Sequence, residues 1–139
     1  MTEKPFLRVV AGVAFRGGRI LVTRRPPGAP YAGLWEFPGG KVEPGESDRE
    51  ALVREFREEL EIEPRVGEEI ATGRHEYPEK TVELHFYRVD ALSGDPRPTG
   101  VAEIRWIDPE RPGNLDFLAG DRELLDRLRE PDWRERAFR

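Results

Sequence analysis

One amphipathic segment, residues 47–60, limits what this chain can fold into. Its sequence, SDREALVREFREEL, has the spacing of an α-helix. Its apolar residues fall into one stripe: Leu52, Phe56 and Leu60. Ser47 or Asp48 can cap the first turn, and Pro64 limits extension of the helix past Leu60. A stripe of this kind anchors a helix to a hydrophobic core, so other elements of the chain have to cover it.

The rest of the pattern predicts five strands and a second helix. The strands are expected at residues 7–15, 19–25, 66–77, 81–89 and 101–107. The second helix is expected at residues 117–129. Residues 26–45 form a long loop rich in proline and glycine, and long loops in compact domains are usually functional. The order β, β, helix, β, β, β, helix indicates an α+β (mixed α/β) layered domain.

Length favours one domain. The chain has 139 residues, which is within the usual range for a single domain. We predict that residues 1–130 form this domain. Residues 131–139 are charged, with two aromatic residues, and are expected to be a tail that either packs or frays.

Composition narrows the classes of function. The absence of cysteine excludes thiolate metal sites and cysteine nucleophiles, and it suits a reducing cytoplasm, which is the predicted location. The formal net charge of −5 argues against a general binder of polymeric nucleic acid. No apolar run reaches the roughly 20 residues of a membrane helix. We therefore expect neither a membrane nor a nucleic-acid partner.

Three carboxylates share one face of the first helix. Glu55, Glu58 and Glu59 stand at i, i+3 and i+4. In a plain helix the like charges at i and i+4 cost a few tenths of a kcal/mol, about 0.2–0.5. A divalent cation bound between the carboxylates would make the same arrangement favourable, because Mg²⁺ and Mn²⁺ prefer such oxygen ligands. On the helix alone, the alternative is a solvated surface on which Arg54 pairs with Glu50 and Glu58.

The residues before the helix make the pattern specific. Residues 40–62 read GKVEPGESDREALVREFREELEI and resemble the Nudix box: glycine, five residues, glutamate, seven residues, Arg-Glu, an apolar residue, one residue, Glu-Glu, one residue, glycine and an apolar residue. The matching positions are Gly40, Glu46, Arg54, Glu55, Phe56, Glu58, Glu59 and Ile62. Glu61 stands where the family has a glycine that suits a left-handed helix cap, so we expect the helix to end differently here.

The resemblance reaches the MutT-like branch of the family through RILVTRR and GLWEFPGGKVEPGES. It implies a Nudix-type α/β/α sandwich with a mixed β-sheet, in which the box is a loop–helix–loop catalytic motif. It also implies Mg²⁺ or Mn²⁺ as cofactor. The implied metal ligands are Gly39 (through its carbonyl), Glu55, Glu58 and Glu59. Glu55 is implied as a ligand or as the base that deprotonates water, and Arg54 and Glu46 as residues that orient the box.

The same resemblance implies contacts with a substrate. Arg25 and Arg24 would meet phosphate oxygens; as the alternative they are surface charges at a strand end. Phe37 and Tyr77 are candidates for walls around a base, or are ordinary core residues. Asp121 falls where the branch has a polar residue at the base edge, and its alternative role is a helix cap.

Several other positions bear on the site. Asn114 is a less well aligned candidate for the base. Three ring residues are interpreted as structural: Trp35, His75 and His85. MutT-like sequences often carry a further metal-binding glutamate six residues before a tryptophan, and counting back from Trp106 gives Gly100. Glu103 is the nearest carboxylate that can replace it.

Together these residues predict a metal-dependent pyrophosphohydrolase. It would cleave a nucleoside triphosphate, oxidised or modified nucleotides included, to nucleoside monophosphate and pyrophosphate by water attack at a phosphorus. The segment LWEFPGGKVE also resembles Nudix enzymes that act on cytidine nucleotides, so the base stays open. The alternatives are an ADP-ribose or nucleotide-sugar diphosphatase, a Nudix module that binds a nucleotide without hydrolysis, and an acidic interaction domain. The expected partner is a small-molecule nucleotide, with a monomer or a homodimer equally open.

Overall fold

The computed structural model describes residues 4–139, in which helices lie on both sides of a mixed sheet. The strands are β1 (Phe6–Arg16), β2 (Arg19–Arg24), β3 (Trp35–Glu36), β4 (Gly39–Lys41), β5 (Pro64–Glu76), β6 (Thr81–Leu92) and β7 (Glu103–Ile107). The helices are α1 (Asp48–Leu60), α2 (Ala119–Leu128) and α3 (Pro131–Ala137). None of the helices within the described residues has the length and apolar character needed to cross a membrane.

Strand β1 is central to the sheet. The strand order is β3-β2-β1-β6-β5, with β4 also paired to β1 and β7 to β2. The β1–β6 pair is parallel, whereas the other strand pairs are antiparallel. Pairing of β4 with β1 places Gly39 opposite Ala11 and Gly40 opposite Val10. The segment that leads into α1 is therefore fixed on the middle of the sheet.

Each face of the sheet carries a hydrophobic cluster. The predicted stripe of α1 is buried on one face, against residues of β1, β2 and β6: Val10, Leu21 and Val89. Helix α2 buries leucines on the other face: Leu124, Leu125 and Leu128. The α+β class and the α/β/α sandwich that the resemblance implied are confirmed.

Helix α1 has specific signals at both ends. Ser47 Oγ accepts a hydrogen bond of 3.1 Å from the Glu50 amide, and Glu50 Oε1 accepts one of 3.0 Å from the Ser47 amide, which is a capping box. At the other end Glu61 has φ 52° and ψ 43°, the left-handed conformation. The expectation that the helix ends differently is wrong: Glu61 takes the conformation of the missing glycine, at a cost of about 1–2 kcal/mol.

The structure departs from the predicted elements in the loop and in the tail. Strands β3 and β4 lie inside the predicted loop and are too short to show an alternating pattern. The tail forms α3, and the ring of Phe138 packs edge-on against Phe15 with centroids 4.4 Å apart. Trp133 is partly buried against the same hydrophobic cluster. The tail therefore packs on the domain.

Candidate active site

A cleft of about 380 Å³ opens where β1, β3, β4, α1 and the first turn of α2 meet. Carboxyl groups reach it from three of these elements: Glu36 from β3, Glu55 and Glu59 from α1, and Asp121 from α2. The glycines of β4 form part of its floor. A cleft with this many carboxyl groups is suited to binding cations.

Arg54 organises the box. Its guanidinium donates to both carboxylate oxygens of Glu46, at 2.7 and 2.9 Å, and to Glu55 Oε1 at 2.8 Å. It also donates to the Lys41 carbonyl at 2.9 Å, which ties the loop to α1. The hydrogen bonds from Arg54 lower the pKa of Glu46 to about 2. Arg54 pairs with Glu58 at 3.4 Å, as the helix spacing predicted.

Gly40 makes room for the carboxylate of Glu55. A Cβ at this position would lie 2.5 Å from Glu55 Oε1, so any side chain would displace that group. At Gly39 a Cβ would lie 2.0 Å from the Val10 carbonyl oxygen. Gly39 and Gly40 therefore allow β4 to lie close to β1 and let the carboxylate of Glu55 pack against the backbone of β4.

Glu59 is a buried carboxylate with one unpartnered oxygen. Among the described residues, its Oε2 atom is inaccessible to solvent and accepts no hydrogen bond. Burial raises the pKa of Glu59 well above its usual value, and the negative charges of Glu36 and Glu55 raise it further. Burial likewise raises the pKa of Glu55, although Arg54 opposes this. The cleft thus holds carboxylates whose ionised forms need additional positive charge.

Glu36 belongs to this cleft, although the sequence interpretation did not single it out. Arg25 Nη1 donates to both of its carboxylate oxygens, at 2.7 and 3.2 Å. Burial raises the pKa of Glu36, and the positive charge of Arg25 opposes the shift. A signal was present in the sequence, because this glutamate stands between two large aromatic residues, Trp35 and Phe37, which indicates a buried position.

Asp121 is not a helix cap. The cap position of α2 is Leu118, and no side chain caps that end. Asp121 is instead 5% exposed, and its Oδ2 accepts a hydrogen bond of 2.9 Å from the Phe37 amide. Burial raises the pKa of Asp121 well above its usual value, with a further contribution from the charge of Glu36. The carboxyl group lines the cleft, away from solvent.

The two residues proposed as walls around a base, Phe37 and Tyr77, are buried to different degrees. Phe37 is 1% exposed and packs against Phe86 and Phe117, so most of its ring belongs to the core, although it lines the cleft. Tyr77 is partly buried and lines the cleft as well. Its ring contacts His75 edge-on at a centroid distance of 4.5 Å.

Six candidates are not part of the cleft lining: Arg24, Glu46, Arg54, Glu58, Glu103 and Asn114. The side chain of Glu58 is 60% exposed beside Arg54, on the same helix as the buried pair. Arg24 donates to the Gly33 carbonyl and faces Glu103 across the β2–β7 pair, at 3.8 Å. Asn114 is exposed in the segment before α2. The structure therefore brings Arg25, and not Arg24, into the cleft.

Gly100 has a structural reason to be glycine. A Cβ there would lie 2.8 Å from the Glu58 carbonyl oxygen. The amides of Thr99 and Gly100 donate to the Glu59 carbonyl, at 3.2 and 3.0 Å. The Arg97 amide donates to the Leu60 carbonyl at 2.9 Å. This segment therefore caps the carbonyl end of α1, next to the residues that face the cleft.

A second cluster of titratable side chains lies outside the cleft. A carboxylate oxygen of Asp48, one of Glu69 and a ring nitrogen of His85 lie within 4.8 Å of one another. Asp48 accepts two hydrogen bonds from Arg8, at 2.8 and 2.7 Å. The two ring nitrogens of His85 lie 2.6 Å from Glu69 and 2.7 Å from Glu83. Because these groups satisfy one another, we interpret them as an ion-pair network that joins α1 to the sheet.

The residues of the cleft fit a divalent cation. The unpartnered Oε2 of Glu59 lies beside a second buried carboxylate, Glu55, and all the available donors are oxygens. Hard cations such as Mg²⁺ and Mn²⁺ take this donor set. A cation would also relieve the repulsion that raises the pKa of both groups.

Comparison with known proteins shows to which family this chain and its cleft belong. The NUDIX domain family model matches residues 9–127. The chain belongs to the Nudix family. It is 42% identical to the CTP pyrophosphohydrolase of Escherichia coli K12 over 86% of this chain and 89% of that protein. It is 33% identical to the 8-oxo-dGTP diphosphatase of Haemophilus influenzae, over 91% and 93% of the two chains.

A solved structure agrees with these relatives. The crystal structure of a MutT protein from Methanosarcina mazei Go1 matches with a TM-score of 0.83 and 29% identity, over 92% of this chain and 96% of that one. The predicted family and its MutT-like branch are confirmed, and so is the enzyme class of Nudix hydrolase. Nudix hydrolases generally need a divalent metal, which agrees with the donor set of the cleft.

Proposed function

We propose that this Nudix hydrolase cleaves a nucleoside triphosphate to nucleoside monophosphate and pyrophosphate, and that its preferred base is cytosine. The observation that carries the proposal is that the buried carboxyl of Asp121 and the box carboxylates Glu55 and Glu59 face one cleft. This pairing gives the cleft one end suited to phosphates and cations and another suited to the edge of a base.

The box residues have distinct roles in the proposed reaction. By the box resemblance, Glu58, Glu59 and the Gly39 carbonyl would hold Mg²⁺, which would supply positive charge against the phosphate oxygens and lower the pKa of water. A water oxygen attacks phosphorus, the bond to the bridging oxygen breaks, and its electron pair leaves with pyrophosphate. Glu55 serves either as a further ligand or as the group that takes the proton from water. Arg54 and Glu46 orient these carboxylates through the hydrogen bonds described above.

Arg25 is the proposed contact for a phosphate oxygen. It lies in the cleft, where Glu36 and the Pro30 carbonyl fix its guanidinium. A guanidinium held in this way can direct its remaining N–H groups toward an anion. Arg24 is excluded from this role in our proposal because it is directed toward Gly33 and Glu103.

The state of Asp121 supports cytosine over guanine. Burial and the nearby Glu36 charge favour the neutral carboxyl group. Because Oδ2 accepts the Phe37 amide, the proton of the neutral form belongs on Oδ1. A neutral carboxyl offers one donor and one acceptor, the complement of the ring nitrogen and amino group of cytosine, whereas an ionised carboxylate, which only accepts, is the complement of the N1–H and amino groups of guanine. The relative named CTP pyrophosphohydrolase agrees with this choice.

A second candidate is an oxidised purine nucleotide, because several relatives are named 8-oxo-dGTP diphosphatase. The test is to measure kcat/KM with Mg²⁺ on CTP, dCTP, ATP, GTP, 8-oxo-dGTP and ADP-ribose, and to identify the products. We expect CTP or dCTP to be the best substrate. A higher kcat/KM on 8-oxo-dGTP would reject the base assignment alone, and cleavage of ADP-ribose in preference to every triphosphate would reject the reaction.

The remaining parts of the proposal come from the sequence. Mg²⁺ is the proposed ion, and the small-molecule nucleotide is the proposed partner. A cytoplasmic location and the choice between monomer and homodimer stay predictions. Binding of nucleotides without turnover of any would favour the non-catalytic Nudix module.

A further inference from the structure

The loop between β2 and β3, residues 26–34, forms an arch that hydrogen bonds hold at its base and at its crest. The backbone closes its base, where the Arg25 amide donates to the Leu34 carbonyl at 2.9 Å and the Gly33 amide to the Arg25 carbonyl at 3.0 Å. The side chain of Arg25 supports its crest, because Nε donates to the Pro30 carbonyl at 2.6 Å. A cleft residue therefore determines where the crest of the arch lies.

The crest reaches the opposite rim of the cleft through Tyr31. Its hydroxyl donates to Glu79 in the turn between β5 and β6, and its ring lies 5.0 Å from the ring of Tyr77. The ammonium of Lys80 lies 5.6 Å from the Tyr31 centroid and 5.7 Å from the Tyr77 centroid. A cation at these distances is attracted to both rings. Three side chains of the turn thus hold Tyr31 in place.

Tyr31 is held in a conformation that is unfavourable for its residue type. Its φ of 57° lies in the left-handed region, which a tyrosine rarely adopts. Such a conformation persists only where surrounding contacts impose it, and these positions concentrate at functional sites. The contacts that impose it here are those with Glu79, Tyr77 and Lys80.

The contact closes one side of the cleft that contains the proposed base site. Pro30, Tyr31, Tyr77 and Lys80 all line the cleft that Asp121 lines. The ring of Tyr77 packs against His75, and a Cβ at Gly120, the residue before Asp121, would lie 3.7 Å from the His75 Cβ. The aromatic wall therefore lies at the Asp121 end of the cleft.

We infer that Tyr31 is a specificity-determining residue, an aromatic cover that stacks on the nucleobase of the bound nucleotide. Glu79 and Lys80 position the cover, and Tyr77 extends its surface. The inference deepens the proposed function and rests on it for the class of ligand. Because every base has a stacking face, the cover selects ligands that carry a base and leaves the choice among bases to Asp121.

The test measures binding of a product, which needs no turnover. Isothermal titration of CMP, AMP, GMP and ribose 5-phosphate is compared between the wild type and Tyr31→Ala, with Mg²⁺ present. Removing the ring weakens the tightest-binding monophosphate about tenfold, the usual effect of losing one stacked aromatic, and leaves ribose 5-phosphate unchanged. Tyr31→Phe, which keeps the ring and loses the Glu79 hydrogen bond, stays within about threefold of the wild type.

A matched control and two further readouts complete the test. Phe6→Ala removes an aromatic that is 53% exposed and does not line the cleft. It should change neither the affinity for monophosphates nor that for ribose 5-phosphate. For the preferred triphosphate, Tyr31→Ala should raise KM about tenfold and keep kcat within about twofold.

Equal weakening of monophosphate and ribose 5-phosphate binding would overturn the inference, as would unchanged monophosphate binding or a wild type that binds no monophosphate. If the wild type shows the predicted binding pattern but cleaves no triphosphate, the proposed reaction fails while the cover stands.

Discussion

The amide of Phe37 donates a hydrogen bond of 2.9 Å to Oδ2 of Asp121, across 84 residues of sequence. Phe37 stands three residues before Gly40, the first residue of the box and part of the cleft lining. The bond therefore links the position of the proposed base-reading carboxyl to the backbone of the catalytic motif. It also determines which oxygen of Asp121 is free to carry a proton.

The first prediction concerns the protonation state of Asp121. Asparagine presents one donor and one acceptor, like the neutral carboxyl, so Asp121→Asn should keep kcat/KM for CTP within about tenfold of the wild type. Asp121→Ala removes both groups and should lower kcat/KM for CTP about 10–100-fold, the usual value of a bidentate base contact. Steady-state kinetics on CTP and GTP measure both variants. An asparagine variant as impaired as the alanine variant would show that the carboxyl acts in its ionised form.

The second prediction concerns Glu59. Replacing it with glutamine removes a buried carboxyl group whose ionised form is disfavoured by burial and by neighbouring charges, so Glu59→Gln should unfold at a higher temperature than the wild type when metal is absent. The same change should abolish the stabilisation that millimolar Mg²⁺ gives the wild type, because a ligand raises stability only when it binds the folded state. Turnover should fall by more than the roughly 10–100-fold that loss of a residue supporting a metal ligand costs.

Thermal unfolding with and without Mg²⁺ measures this prediction without relying on activity. Glu68→Gln, which removes an exposed carboxylate from β5, is the control and should respond to Mg²⁺ like the wild type. A Mg²⁺-dependent stabilisation that survives in Glu59→Gln would contradict the metal assignment.

The third prediction concerns Gly100. A methyl group there would meet the Glu58 carbonyl at 2.8 Å and displace the segment that caps α1. Gly100→Ala should therefore lower the free energy of unfolding by about 1–3 kcal/mol, as overpacking does, and lower turnover through movement of the last turn of α1. Gly94→Ala is the matched control, because nothing lies within 4 Å of its added Cβ. Urea unfolding should separate the two variants, and equal stability would reject the capping role.

The fourth prediction concerns the pH dependence of stability at His85. Burial lowers the pKa of His85, but its bonds with Glu83 and Glu69 outweigh this, so the pKa is raised above 6.5. A group with a raised pKa stabilises the fold fully below its unfolded pKa and loses that contribution as pH rises through the folded value. The stability difference between wild type and His85→Gln should thus be largest near pH 6 and shrink as pH rises toward about 9.

Urea unfolding of both proteins over this pH range provides the measurement. Arg8 on β1 and Asp48 on α1 face the same network, and both keep their charge between pH 6 and 9 because hydrogen bonding raises the pKa of Arg8 and lowers that of Asp48 to about 2. The trend therefore reports His85. A difference that grows with pH would contradict the assigned ion pairs.

The sequence predicted the site where chemistry depends on short-range spacing. The helix period was enough to place Glu55, Glu58 and Glu59 on one face, and the box pattern joined them to Glu46 and Arg54. Hydrophobic stripes likewise predicted which face of α1 is buried. The ends of the predicted strands shifted by up to three residues: β6 extends three residues beyond its predicted end, whereas β7 begins two residues later than predicted.

Relationships between distant parts of the chain were not predictable in this way. The contact of Asp121 with Phe37 and the ion pair of Glu36 with Arg25 arise from strand pairing and helix packing. The role of Gly100 follows from the close approach of a loop to α1, which leaves no local pattern. At Glu61 local propensity favours a glycine, yet this residue adopts the left-handed conformation, with its amide donating to the Arg57 carbonyl.

The most direct test of the account is to follow CTP hydrolysis by ³¹P NMR with the wild-type protein and Mg²⁺. We predict that CTP is consumed with equal formation of CMP and pyrophosphate, and that chelation of the metal stops the reaction. Formation of CDP and inorganic phosphate, or turnover that persists without metal, would contradict it.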